Sequence, residues 1–394
     1  MSLSFETEIE IENTPTDTGA PAKRVATRTV FFVTGMAMGL WGALVPYAQL
    51  RTQAEAGTLG LLLLCLGAGS LVSMLGSGKI IGRFGCRNVI VAAVVMYCLT
   101  LPLLATFSDI WLLALSLFIF GMGIGLADVA VNVQGAMVEQ AAGKPLMSGF
   151  HCLWSVGGIA GAGGGAALLS SGVTPQGSTF YVVALVILGT VYSLRSLLPF
   201  GAHEEERMEG KPKARPNFRL VLMAAMMMIC FMAEGAVLDW SGVFLARERG
   251  LALEHAGWGF AVFAIVMSLM RLTGDAIVSA LGRKRVLVVG GILGIAGYLM
   301  VVLLPGWILP ICGFALVGIG VANMAPVLFT LAGQEKVMPV NMSVAMVATL
   351  GYFGILGGPA LIGFIAHLSS LYVAFSAVAA AFLIITFGAC KLRY

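Results

Sequence analysis

Leu61-Leu-Leu-Leu-Cys65-Leu-Gly-Ala-Gly-Ser70-Leu-Val-Ser-Met-Leu75 contains no charged residue and no two-residue alternation of apolar and polar side chains. A bilayer core about 30 Å thick needs about 20 such residues to be crossed as a helix. Lipid offers the backbone no hydrogen-bonding partner, so a crossing segment must pair its own amides or close into a barrel. A barrel strand would alternate, and this stretch does not. It therefore reads as a transmembrane helix.

Eleven further stretches read the same way. The predicted spans are 28–49, 57–81, 88–107, 110–137, 145–171, 178–199, 219–244, 255–281, 285–304, 307–333, 341–367 and 371–390. The fold class expected is an all-α membrane protein with twelve transmembrane helices in two six-helix bundles. With 59% hydrophobic and 11% charged residues and a mean hydropathy of +0.96, the chain lies far from a soluble domain.

Residues 1–27 carry Glu6, Glu8, Glu10, Glu12 and Asp17 without an apolar core, which does not fit a cleavable signal sequence. A disordered cytoplasmic tail is expected there. Segment 28–199 then forms the first bundle, 200–218 a polar cytoplasmic linker, and 219–394 the second bundle. Basic residues are retained on the cytoplasmic side during insertion. With both termini inside a bacterial inner membrane, 19 of the 23 Lys and Arg fall on that side. The net charge of +4 therefore reports topology and points away from nucleic acid. Seven cysteines show neither metal spacing nor a disulfide framework, so free thiols, no metal and no cofactor are expected.

The halves repeat one another. Gly123-Ile-Gly125-Leu-Ala127-Asp128-Val-Ala130 in the fourth span matches Gly318-Ile-Gly320-Val-Ala322-Asn323-Met-Ala325 in the tenth. Gly85-Cys-Arg87-Asn-Val-Ile-Val matches Gly282-Arg-Lys284-Arg-Val-Leu-Val at nearly the same offset, 197 against 195. Parallel repeats imply a pseudo-twofold along the membrane normal and a cavity between the halves.

On these residues the chain resembles the major facilitator superfamily over 28–390. The loop Gly78-Lys-Ile-Ile-Gly82-Arg83-Phe-Gly85-Cys-Arg87 is similar to that family's signature between its second and third helices, with Gly82 where an Asp is usual. In the second half Asp275, Ser279 and Ala280 stand where the pattern has Gly, Asp and Arg. The segments GLADVAVNVQGAMVE, AEGAVLDW and VATLGYFGILGGPALIGF resemble a bacterial branch grouped with fucose-permease-like sugar transporters. The resemblance implies alternating access between two bundles.

Ionisable groups at bilayer depth cost about 2.5–3.5 kcal/mol each to insert and normally face a cavity or a partner. Five qualify: Asp128, Glu234, Asp239, Arg271 and Asp275. Burial favours the protonated carboxyl and access to water the charged one, which can couple proton movement to alternating access. Glu234 is the first candidate proton carrier, then Asp128 and Asp239. Five residues turn a helix by about 140°, so Glu234 and Asp239 cannot aim at one spot. The alternative for Glu234 is a permanent pair that holds its helix. Arg271 and Asp275, spaced i,i+4, are expected to form an internal ion pair; otherwise Arg271 meets an anionic substrate or a cavity carboxylate.

His151, Trp154, Ser155 and Gly158 share one helical face suited to a polyol. Trp41, Tyr47, Asn132, Trp240, Asn323 and Tyr352 are candidates to complete it. Arg83, Arg87, Glu139, Arg285 and Glu335 are expected to gate the cytoplasmic end, with Arg87 and Glu139 in one half mirrored by Arg285 and Glu335 in the other.

No nucleophile elbow, metal cluster, phosphate loop or dinucleotide fingerprint occurs, so the reading is not an enzyme. The function expected is a secondary active transporter of a small polar solute, a sugar, polyol or related organic acid, driven by protons. Its partners are that solute, protons and membrane lipid, and a monomer is expected. The alternative is proton-driven export of a drug or toxic metabolite, with Met223, Met226, Met227 and Met228 as an adaptable lining.

Overall fold

The computed structural model describes residues 18–202, 215–252 and 255–392. Most of the expected tail and most of the linker lie outside the described residues. Among the described residues the ordered elements are all helical: α1 (Pro21–Thr52), α2 (Ala56–Leu104), α3 (Ile110–Ala142), α4 (Met147–Ser170), α5 (Pro175–Ser193), α6 (Phe218–Arg249), α7 (Trp258–Leu272), α8 (Gly274–Leu281), α9 (Arg283–Leu303), α10 (Ile308–Val321), α11 (Met324–Gln334), α12 (Val340–Leu368) and α13 (Leu371–Ala389). A 3-10 turn, Leu194–Ser196, extends α5. The first helix starts at Pro21, ahead of the predicted 28, because proline at the first helical position already has the required φ.

Thirteen elements make twelve crossings. At 49 residues, α2 would be about 70 Å long, enough to cross twice. Its two arms meet at Gly85, whose φ of 80° disfavours any other residue and whose missing Cβ leaves room for the Pro199 carbonyl. Among the described residues ten helical stretches are long and apolar enough to span, Ile308–Gln334 (α10 with α11) being one of them, and α7 with α8 forms an eleventh span bent by 62°. The tenth crossing is likewise broken, into α10 and α11 at Ala322 and Asn323.

Within each half, small residues let helices approach closely. Gly121 and Gly125 of α3 sit against the Leu66 and Ser70 backbone of α2, and Gly354 of α12 sits against Met228 of α6. Of the four methionines singled out above, Met223, Met226 and Met227 are buried in this packing and Met228 is exposed.

The pseudo-symmetry shows in two arginines at the end poorer in basic residues. Arg51, closing α1, donates to the carbonyls of Leu104, Ala105 and Phe107 at 2.6, 2.9 and 3.0 Å. Arg249, closing α6, donates to Val301 and Val302 at 2.8 and 2.9 Å. Each satisfies carbonyls left without amide partners where the neighbouring helix ends.

The halves meet at the opposite end, rich in Lys and Arg. Among the described residues Gly67 of α2 approaches Leu356 of α12 across the two halves. Those positions lie roughly 16–18 Å in from the outer helix ends at 1.5 Å per residue. The halves therefore touch from the basic end to at least that depth.

Candidate functional site

Pro326 has no amide hydrogen and cannot bond the carbonyl of Ala322 four residues back. The helix breaks there, and the freed Ala322 carbonyl accepts a 3.1 Å hydrogen bond from Arg271 Nε. Arg271 stands just before the other break, where Asn323 Nδ2 donates to the Met270 carbonyl at 3.3 Å. The two discontinuities thus satisfy one another.

The rest of the Arg271 guanidinium faces the centre. Nη2 pairs with Glu234 Oε1 at 3.4 Å, with only 8% and 16% of the two side chains exposed, so water screens this pair little. Nη1 reaches Ser155 Oγ across the cleft at 3.4 Å. Cys230 Sγ lies 3.9 Å from the same Glu234 oxygen. The expected pair of Arg271 with Asp275 does not form, because the 62° bend between α7 and α8 carries Asp275 away from the i,i+4 position.

The opposite wall belongs to the first half. Asn132 Nδ2 donates to the Asp128 carbonyl at 2.9 Å and to Asp128 Oδ1 at 3.3 Å. Its Oδ1 lies 3.1 Å from His151 Nε2, whose ring stacks on Phe329 of the second half at 5.7 Å. One turn along α4, the Ser155 hydroxyl that meets Arg271 also donates to the His151 carbonyl at 3.3 Å. Tyr352 of α12 faces Ser70 and Asp128. A polar chain therefore runs Asp128, Asn132, His151, Ser155, Arg271, Glu234, and crosses between the halves at Ser155 and Arg271.

Below it the basic end is sealed. Glu139, 2% exposed, accepts from the amides of Leu146 and Met147 at 2.8 and 2.7 Å. Its other oxygen accepts from Thr330 at 2.7 Å and pairs with Arg283 at 3.3 Å, both of the second half. Asp275 accepts from the Gly149 amide in the first turn of α4, 3.2 Å from each oxygen. Asn341 Nδ2 donates to the Gly78 carbonyl at 2.5 Å. Gly78 and Asp275 hold matching places in the repeated loops, and each grips the fifth crossing of the opposite half. A cavity of only about 10 Å³ remains among Glu139, Ser148, Asp275, Arg283 and Thr330, room for one water.

Several expected residues lie elsewhere. Trp41 falls on the stripe of α1 that holds buried Ala37, Leu44 and Ala48, so it packs into its own half. Tyr47 lines an outer groove with Arg51 and Gln176. Trp240 Nε1 donates to the Pro359 carbonyl at 3.0 Å, which ties α6 to α12. Asn323 is occupied at the helix break, Trp154 is half-buried on α4, and Asp239 is exposed.

The expected gate pairs are replaced. Arg283 takes the place foreseen for Arg87 beside Glu139, and Arg285, about 200° further round the helix, is exposed. Glu335 instead accepts from Asn217 Nδ2 of its own half at 3.2 Å. Arg83 lies over the Phe84 ring at 5.4 Å. Thr330, Arg283 and Asn341 were not singled out from sequence; only Arg283, within the repeated loop, carried a signal there. No group of three or more His, Cys, Asp or Glu able to hold a metal occurs among the described residues.

Comparison with known proteins agrees with this architecture. Residues 29–337 match the Major Facilitator Superfamily model. An uncharacterised MFS-type transporter of Yersinia pestis is 44% identical over 363 residues, covering 91% of this chain and 92% of that protein. An uncharacterised transporter of Sinorhizobium fredii is 32% identical over 348 residues, covering 88% and 91%. In structure, the E. coli fucose:proton symporter FucP superposes with a TM-score of 0.80 at 15% identity, covering 94% of this chain and 98% of that one. A bacterial homologue of the iron transporter ferroportin reaches 0.65 at 14% identity, covering 94% and 98%. At such identities the structural likeness carries the fold alone.

Proposed function

This chain belongs to the major facilitator superfamily, and from that premise we propose that it is a secondary active transporter moving a small polar solute by alternating access, coupled to protons through Glu234. The observation that carries the reading is the buried Arg271–Glu234 pair with its link to Ser155 across the cleft. A buried charge pair in one half that is linked to Ser155 of the other can differ in energy between the two open states, which is what coupling requires.

The seal at the basic end supports a state in which the polar chain is reached from the opposite compartment. A proton arriving from that side neutralises Glu234 and weakens its hold on Arg271. The released Nη2 donor is then available to a solute oxygen, alongside the Ser155 hydroxyl, His151 and the Asp128–Asn132 pair. Rocking to the opposite state breaks Glu139–Arg283, Asp275–Gly149 and Asn341–Gly78, and exposes Glu234 to the basic side, where it loses the proton. Asp128 is the second protonation site.

The donor and acceptor set around His151, with Trp154 half-buried beside it, suits a hydroxylated solute such as a sugar, polyol or related acid. The fucose:proton symporter that shares the fold moves a solute of this class. We place the basic end, and with it both termini, in the cytoplasm of a bacterial inner membrane, since 19 of 23 basic residues then lie inside.

Purified protein in proteoliposomes, offered labelled sugars, polyols and organic acids under an inward proton gradient, tests the reading. Saturable uptake of at least one such solute, accelerated by the gradient in wild type and not in Glu234→Gln, is expected. Uptake indifferent to the gradient would remove the proton from the scheme.

A further inference from the structure

A second site lies on the outer face of the first half, away from the cleft. The second arm of α2 and the end of α5 leave a groove of about 420 Å³ lined by Arg87, Asn88, Val91, Ala92, Leu194 and Arg195. Its walls are fixed, because the Arg87 amide donates to the Leu198 carbonyl at 2.8 Å and the Cys86 amide to the Phe200 carbonyl at 3.2 Å. Among the described residues neither Arg87 nor Arg195 forms an ion pair with a carboxylate. Two guanidinium groups at the rim of an apolar slot call for an anion.

The surroundings say which anion. The groove opens at the basic end of the transmembrane region, at the level of the headgroups. From it, Val91, Val95 and Leu99 continue along α2, and Val191 and Leu188 continue back along α5. Val95, Leu99, Val191 and Leu188 are 49%, 68%, 62% and 65% exposed, on a surface that faces lipid. A free phosphate would satisfy only the arginines, whereas a phospholipid satisfies the arginines with its phosphate and the slot with its acyl chains.

We infer that this groove binds one anionic phospholipid, of the phosphatidylglycerol or cardiolipin class, with its phosphate between Arg87 and Arg195. The site is independent of the transport reading, because it uses no residue of the polar chain or of the basic-end seal. A lipid seated there bridges the third and sixth crossings beside the Gly85 bend.

Native mass spectrometry and thermal unfolding of the full chain in neutral detergent test the inference. Phosphatidylglycerol and phosphatidylcholine with the same acyl chains serve as probes, with inorganic phosphate as the headgroup control. The expected result is a one-to-one phosphatidylglycerol adduct and a raised unfolding temperature, neither reproduced by phosphatidylcholine or by phosphate. About fivefold weaker binding is expected for Arg87→Gln or Arg195→Gln alone, and about 25-fold for the pair, from the usual worth of one basic residue at a lipid surface. Arg87→Lys with Arg195→Lys retains most of the binding, and Ala92→Trp blocks the acyl slot with both charges in place. Equal adducts with the two lipids, full binding by the double Gln variant at unchanged helical content, or stabilisation by phosphate equal to that by lipid would each overturn the inference.

Discussion

Glu234 and Arg271 form an ion pair largely out of water, and such a pair is more costly to break than it is valuable to make. Glu234→Ala, which leaves Arg271 charged and unpaired, is expected to destabilise the protein by about 3–5 kcal/mol. The double variant Glu234→Ala with Arg271→Met should recover a large part of that loss. Thermal unfolding in detergent checks both; a Glu234→Ala variant within about 1 kcal/mol of wild type would show that Ser155 and the Ala322 carbonyl suffice to hold the guanidinium. At this scale the sequence was partly legible. A carboxylate and an arginine in otherwise apolar spans announced themselves, but their partnership did not. The i,i+4 spacing of Arg271 and Asp275 assumed a continuous helix, and the break at Thr273 voids that assumption. Pro326 gave a readable signal of the second break, through the carbonyl it orphans at Ala322.

At the level of elements, two broken crossings and one bend position everything else. Gly85 is the bend, and its φ of 80° with ψ of 160° lies in a region essentially restricted to glycine, which costs another residue about 1–3 kcal/mol before the clash with the Pro199 carbonyl is counted. Gly85→Ala is therefore expected to lower stability by at least that amount in a denaturant titration; an unchanged midpoint would mean that the bend relaxes freely. The seal at the basic end depends on carboxylates at the start of α4, where unpaired amides attract negative charge. Asp275→Asn weakens that attraction from the opposite half. In a background with exposed Cys312 and Cys390 replaced by Ser, Ser148→Cys should then label several-fold faster with a membrane-impermeant thiol reagent applied from the basic end. Equal rates with and without Asp275→Asn would show that Asp275 does not hold the seal. The helices themselves were legible because lipid leaves a long apolar run no other structure. Cross-half contacts such as Asn341 with Gly78 and Thr330 with Glu139 were not, since nothing in local periodicity records which surfaces of two bundles will meet.

Taken as a whole, the molecule is two related bundles joined at the basic end, with a polar chain at the seam. The repeats at offsets of 195 and 197 residues foretold the two bundles. Their divergence is where coupling is expected: Asp128 in one repeat is replaced by Asn323 in the other, and the proline break occurs only in the second. Arg271, which satisfies that break and pairs with Glu234, gives protonation a route to the relative position of the halves. The most direct test is to follow pH inside proteoliposomes, with no imposed gradient, when a transported solute is added outside. Solute-driven proton entry is expected in wild type, and in Glu234→Gln no proton entry despite continued solute exchange. Proton entry of wild-type size in Glu234→Gln, or solute entry in wild type with no accompanying proton, would contradict coupling through Glu234.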